Sequence, residues 1–100
     1  MHYVFEAELW RWNARRNDIW TFVSVPAEQA AEITQVVEGL TSGFGSVRVD
    51  VRIGETRWRT SIFPTKSDGT YALPIKKAVR AAEAIEPGQV VTVELELVDF

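Results

Sequence analysis

Apolar and polar positions alternate with a period of two along most of this chain, which is the signature of strands with one buried face. Tyr3, Phe5, Ala7 and Leu9 alternate with Val4, Glu6, Glu8 and Trp10, predicting a first strand from about Tyr3 to Arg11. The polar stretch Asn13 to Asp18 interrupts the pattern, and Ile19 to Val25 resumes it with β-branched and aromatic residues, so the two runs read as a hairpin with a basic tip. Val47, Val49, Val51 and Ile53 form the cleanest alternation, and Gly54-Glu55 reads as a two-residue turn into Thr56 to Phe63. With a two-residue loop Val51 lies opposite Trp58, Val49 opposite Thr60 and Val47 opposite Ile62, with Asp50 facing Arg59; a four-residue loop shifts these partners but keeps the same residues on the same face. A short strand near Tyr71 and a long one from Gln89 to Val98 follow, the latter with Val91, Val93, Leu95 and Leu97 inward and Glu94 and Glu96 outward.

Two segments switch to helical spacing. Pro26 suits a helix start, and Ile33, Val36, Val37 and Leu40 follow on one face, with Glu28 and Glu32 near the positive end of the dipole. The glycines of Thr41-Ser42-Gly43-Phe44-Gly45 end this helix, with Phe44 as the anchor of the loop. The second helix, Ile75 to Ala84, opens with Lys76 and Lys77, followed by Arg80. Cations are unfavourable at that end of a helix by about 0.3 to 1 kcal/mol each. A local rule broken in this way marks a candidate anion site, for which Ser61 could supply a hydroxyl. Solvated lysines, or pairs with Glu83, Glu86, Glu94 or Glu96, are the plainer account of the same residues.

The halves share one arrangement: Phe22-Val23-Ser24-Val25-Pro26, helix, Gly45 and a valine-rich strand parallels Tyr71-Ala72-Leu73-Pro74, helix, Gly88 and a valine-rich strand. The Pro-to-Gly spacing is longer in the first half, and the phase between glycine and inward valines differs by one. The arrangement reads as an internal pseudo-repeat.

Composition removes several function classes. One hundred residues, 46% hydrophobic and 25% charged, suit one globular domain with one core. No cysteine is present, so disulfides, thiolate nucleophiles and cysteine-bearing metal sites are excluded. The one histidine, His2, lies at the N-terminus without a cluster around it, and no metal or other cofactor is expected. No membrane span or signal segment is visible, giving a cytoplasmic address as the expectation. A net charge of −3 argues against coating nucleic acid over the whole surface but leaves room for a basic patch.

Arg48, Arg52, Arg57 and Arg59 share the outward face of the central hairpin and form the alternative, nucleic-acid-binding candidate, diluted by Asp50 and Glu55. A serine mechanism has little support: Ser61 has no usable histidine, and pairing with Lys66, Lys76 or Lys77 is the remaining possibility. Trp10 and Trp12 point to the side opposite Leu9 and, with Trp20, either cover a sheet face or form an exposed patch; covering is the expectation.

The order of a strand ending in Leu-Pro, a short helix with a basic residue, Ile-x-Pro-Gly and a final strand resembles the half-domain of AbrB-type and MazE-type regulators, which build a double-split β-barrel from two such halves. Four motifs, Trp20-x-Phe22-Val23-x-Val25-Pro26, Gly43-Phe44-Gly45-x-Val47, Trp58-x-Thr60-Ser61-Ile62-Phe63-Pro64 and Tyr71-x-Leu73-Pro74-x-Lys76-Lys77-x-Val79-Arg80, are together similar to the bacterial domain-of-unknown-function family nineteen-oh-five. The resemblance implies a mainly β, small double-split β-barrel with two short helices and carries no assigned catalytic or binding residues. The expected function is therefore a non-enzymatic binding module for a small anion or acidic partner, as monomer or homodimer, with nucleic acid the less favoured partner.

Overall fold

The computed structural model describes residues 1–15, 18–37, 45–65 and 69–98. Leu40, Gly43, Phe44 and Lys66 lie outside them, as do Arg16 and Asn17 of the first hairpin tip. The elements are β1 (His2–Glu8), β2 (Trp10–Arg15), β3 (Asp18–Ser24), α1 (Ala27–Val37), β4 (Val47–Ile53), β5 (Thr56–Pro64), β6 (Tyr71–Pro74), α2 (Lys77–Glu83) and β7 (Val90–Leu97).

The strands form one antiparallel curled sheet in the order β1-β7-β4-β5-β6-β3-β2. Its outermost members, β1 and β2, are consecutive in the chain and meet at Leu9. The single strand expected over Tyr3 to Arg11 is thus a bent pair. At the bend, the Leu9 amide donates to the Gln89 carbonyl (2.9 Å) and the Leu9 carbonyl accepts from the Gly88 amide (2.7 Å). Gly88 takes φ +97°, which suits glycine, and so brings the Pro-Gly turn against this bend. Alternation does not reveal the bend, because the inward-outward parity runs straight through it.

Like strands of the two halves pair with each other. In β3 and β6 Ser24 faces Ala72, each two residues before its proline, and β4 pairs with β7 through Val51 opposite Leu95. Exchanging β3 with β6, β4 with β7 and the bent β1–β2 segment with β5 maps the strand order onto itself. This is the pairing that a two-part barrel requires. The β4–β5 register follows the two-residue turn, with Val47, Val49 and Val51 opposite Ile62, Thr60 and Trp58, and Gly54 at φ +60°.

The core collects the inward side chains: Tyr3, Phe5 and Leu9, then Val23 and Val25, the valines of β4, Ile62, Leu73, and Val93, Leu95 and Leu97. Helix α1 adds Ala30, Ile33 and Val37, and α2 adds Val79, flanked by Ile75. Helix α2 is only seven residues long and ends at Ala84 in the left-handed region (φ 53°), where the Ile85 amide returns to the Arg80 carbonyl (3.0 Å). Both helices turn their buried residues toward the interior, so neither is left to cover the outer face of β2 and β3. Among the described residues no helix is long and apolar enough to cross a membrane.

Candidate functional site

Sheet order brings outward side chains into rows that no single strand predicts. Across β1, β7, β4 and β5, one row runs His2, Glu96, Asp50, Arg59 and the next runs Val4, Glu94, Arg52, Arg57. The rows neutralise themselves. Arg59 Nε donates to Asp50 Oδ1 at 2.8 Å and its Nη2 to Oδ2 at 3.2 Å, a bidentate cross-strand pair. Arg52 Nη2 contacts Glu94 Oε2, and His2 Nε2 lies 3.5 Å from Glu94 Oε1. A concavity of about 510 Å³ over these rows is lined by both charge signs. Of the four hairpin arginines, Arg52 and Arg59 are held by carboxylates and Arg57 is exposed; Arg48 pairs across the strands with Ser61.

The Arg59 guanidinium, by hydrogen bonding, holds the Asp50 carboxyl below its ordinary pKa, with Arg48 adding a weaker pull in the same direction. A depressed carboxyl contributes stability that is present above its unfolded pKa and is lost as pH falls through its folded value. The urea midpoint of the wild type minus that of Asp50→Asn is therefore expected to be small and positive near neutrality and to vanish below the ordinary carboxylate range. A difference that grows on acidification contradicts the pairing.

The residues around α2 stand differently. Lys76 is the N-cap, with extended backbone and no capping hydrogen bond from its side chain, and Lys77 is the first helical residue. Both are exposed, and among the described residues neither forms an ion pair. Arg80 is half-buried, its Nε donating to the Ile75 carbonyl at 3.2 Å. Glu83, one of the carboxylates considered for these cations, instead accepts from Thr56 Oγ1 at 2.6 Å and closes over the Gly54 turn.

An open concavity of about 640 Å³ runs along the flank of α2 rather than over its N-terminus. Arg11, Lys77, Arg80 and Glu86 supply its charged walls, with Ile85 and Pro87 beside them. Among the described residues, three cations thus face one carboxylate. Arg11 escapes sequence reasoning because β2 and α2 are distant in the chain and meet only through the bend at Leu9. Neither Lys76 nor Ser61 lines this hollow, and Ser61 sits on β5.

A second feature lies on the outer face of β2 and β3. Trp10 pairs with Phe22, and Trp12 with Trp20. Trp10 and Phe22 stack at 5.0 Å between ring centroids, Phe22 and Trp20 at 6.4 Å, and Trp10 Nε1 donates to Ser24 Oγ at 3.0 Å. Trp12 and Trp20 nevertheless remain 54% and 52% exposed, so the expected covering role is not what these two side chains play. Their burial would need a third layer, and both helices are already spent on the interior.

Among the described residues the buried hydroxyls of Tyr3 and Thr21 have no hydrogen-bond partner, and burial, reinforced by Glu32, pushes the Tyr3 phenol up. Sealed in the core, they offer no access to a reactant. Comparison with curated proteins gives no match. Residues 5–95 match the profile of the family described as Domain of unknown function (DUF1905). With that match spanning nearly the whole barrel, the chain belongs to the DUF1905 family.

Proposed function

We propose that the chain is a non-enzymatic binding module that holds an anionic group in the hollow beside α2. The observation that carries this reading is the convergence of Arg11, Lys77 and Arg80 on one open concavity with a single opposing carboxylate, Glu86. Lys76, exposed at the edge of the same helix, adds to the positive field. Guanidinium and ammonium groups suit phosphate or carboxylate oxygens, Arg through paired donors and Lys as a point charge. The hairpin arginines are a weaker basis for binding an anion, since Arg52 and Arg59 already have carboxylate partners.

Titration with pyrophosphate at low salt, followed through backbone amide resonances, tests the reading. Shifts are expected at Arg11 and from Lys77 to Glu86, and they should shrink in Arg11→Gln and Lys77→Gln. Arg80 is left intact in this test because its Nε bond to Ile75 supports the helix start. The absence of shifts in that region would sink the proposal.

A further inference from the structure

The outer surface of the barrel is divided by charge. Glu6, Glu8, Asp50, Glu94 and Glu96 stand on β1, β4 and β7. Among the side chains described on β2, β3, β5 and β6 there is no carboxylate at all. That half carries the aromatic row of Trp10, Phe22 and Trp20, with Trp12 opposite Trp20. Phe63, 48% exposed on β5, has the same outward parity. Strand β2 ends the sheet order, and among the described strands its outer edge, unpaired, lies between the aromatic face and the hollow beside α2. Trp12 lies on one side of that edge, and Arg11, its neighbour in sequence, lines the hollow on the other with Lys77.

Half-exposed aromatic rings beside cations that form no ion pair among the described residues, with Glu86 the one described carboxylate lining their hollow, match a ligand that alternates flat π-systems with negative charge. We infer that single-stranded nucleic acid lies along the β2 edge, its bases stacking on Trp12 and Trp20 and its phosphates meeting Arg11 and Lys77. Stacking on such rings tolerates any base, because each has a π-face, and the cations follow the backbone. A duplex fits poorly, because its bases are already stacked on each other. The Trp20 ring is placed before binding, as the Trp10 indole is tied to Ser24 and stacked on Phe22, which in turn stacks on Trp20. Little ordering of that ring is then left to binding. This inference rests on the anion reading and names its ligand class.

Fluorescence anisotropy of a labelled fifteen-residue oligothymidylate, with the intact protein, tests it. Binding should weaken about seven-fold between roughly 50 and 200 mM salt for the two phosphates that Arg11 and Lys77 meet, and Arg11→Gln with Lys77→Gln should flatten that dependence. Trp12→Ala and Trp20→Ala should each weaken binding by about five-fold or more, while Trp12→Phe, which keeps a stacking face, should retain most of it. Both tryptophans are half exposed, so circular dichroism and pyrophosphate shifts should be unchanged in these variants. Pyrophosphate shifts without oligothymidylate binding overturn the nucleic-acid inference and leave the anion site standing. Failure of both ligands overturns the two together. Equal binding by Trp12→Ala and wild type, equal affinity for a duplex of the same length, or a dimer that the tryptophan variants dissolve in the absence of oligonucleotide binding also overturns it.

Discussion

Leu73→Ala is expected to cost about 3 kcal/mol of folding stability, within the range found for emptied core positions. Leu73 is fully buried, at 0% exposure, and faces Val23 across the β3–β6 seam. That seam is short. It consists of three paired positions, extended by the Val25 amide donating to the Tyr71 carbonyl and the Ile75 amide donating to the Thr21 carbonyl, 2.9 and 2.8 Å. Strand β6 has only four residues, so little else can collapse into the space left behind. Against a total stability of about 5 to 15 kcal/mol for a domain of ordinary size, the loss should move the urea midpoint far to the left with little change in slope. Val4→Ala provides the contrast. Val4 is 53% exposed on the outer face of β1, and its truncation should change stability by less than about 0.5 kcal/mol. Equal effects from the two substitutions would contradict the assignment of inner and outer faces.

Replacing Gly54 by valine is expected to destabilise the fold by about 2 to 3 kcal/mol, through two separable causes. Gly54 has φ +60°, where a β-branched residue is strained. A side chain there would also collide with the Glu83 carboxylate. That carboxylate ends a flexible side chain and can swing away, but doing so gives up its hydrogen bond from Thr56 Oγ1. The turn would then lose its tie to α2. Gly88→Val isolates the first cause, since Gly88 has φ +97° and open space where its Cβ would stand. In a Glu83→Ala background the cost of Gly54→Val should fall toward that of Gly88→Val, and denaturant unfolding of the four proteins of the cycle measures the difference. Strict additivity would show that Glu83 and Gly54 are uncoupled.

These two positions show how unevenly the sequence discloses the fold. Leu73 inward and Gly54 at a two-residue turn are both legible, the first from a Leu-Pro strand end and the second from the alternation on either side. The Asp50–Arg59 pair follows from the two-residue form of that turn, which the structure selects over a four-residue loop that keeps the same faces. The tie between Gly54 and Glu83 is not legible, since it joins a turn to the last residue of a helix across the two intervening strands β5 and β6. Lys76 and Lys77 were visible as cations in an unusual place. The hollow that gathers Lys77 with Arg80 and Arg11 was not, and it follows the side of the helix instead of its start. The tryptophans divide in the same way. Their outward parity is a property of the strand, whereas their exposure depends on whether anything packs above them.

Alternation by itself determined which side chains point into the barrel and which point out, because a pleated strand sends successive residues to opposite faces regardless of its neighbours. The turn at Gly54 added one pairing, and the Pro-to-Gly arrangement of the two halves pointed to the relation between β3 and β6 and between β4 and β7. The tertiary structure decided the rest: that β7 lies between β1 and β4, setting Glu94 against Arg52, and that the chain bends at Leu9, carrying Arg11 to α2. The physical reason is that facing is a local consequence of backbone geometry, whereas neighbourhood is chosen by the packing of all strands and helices around one core.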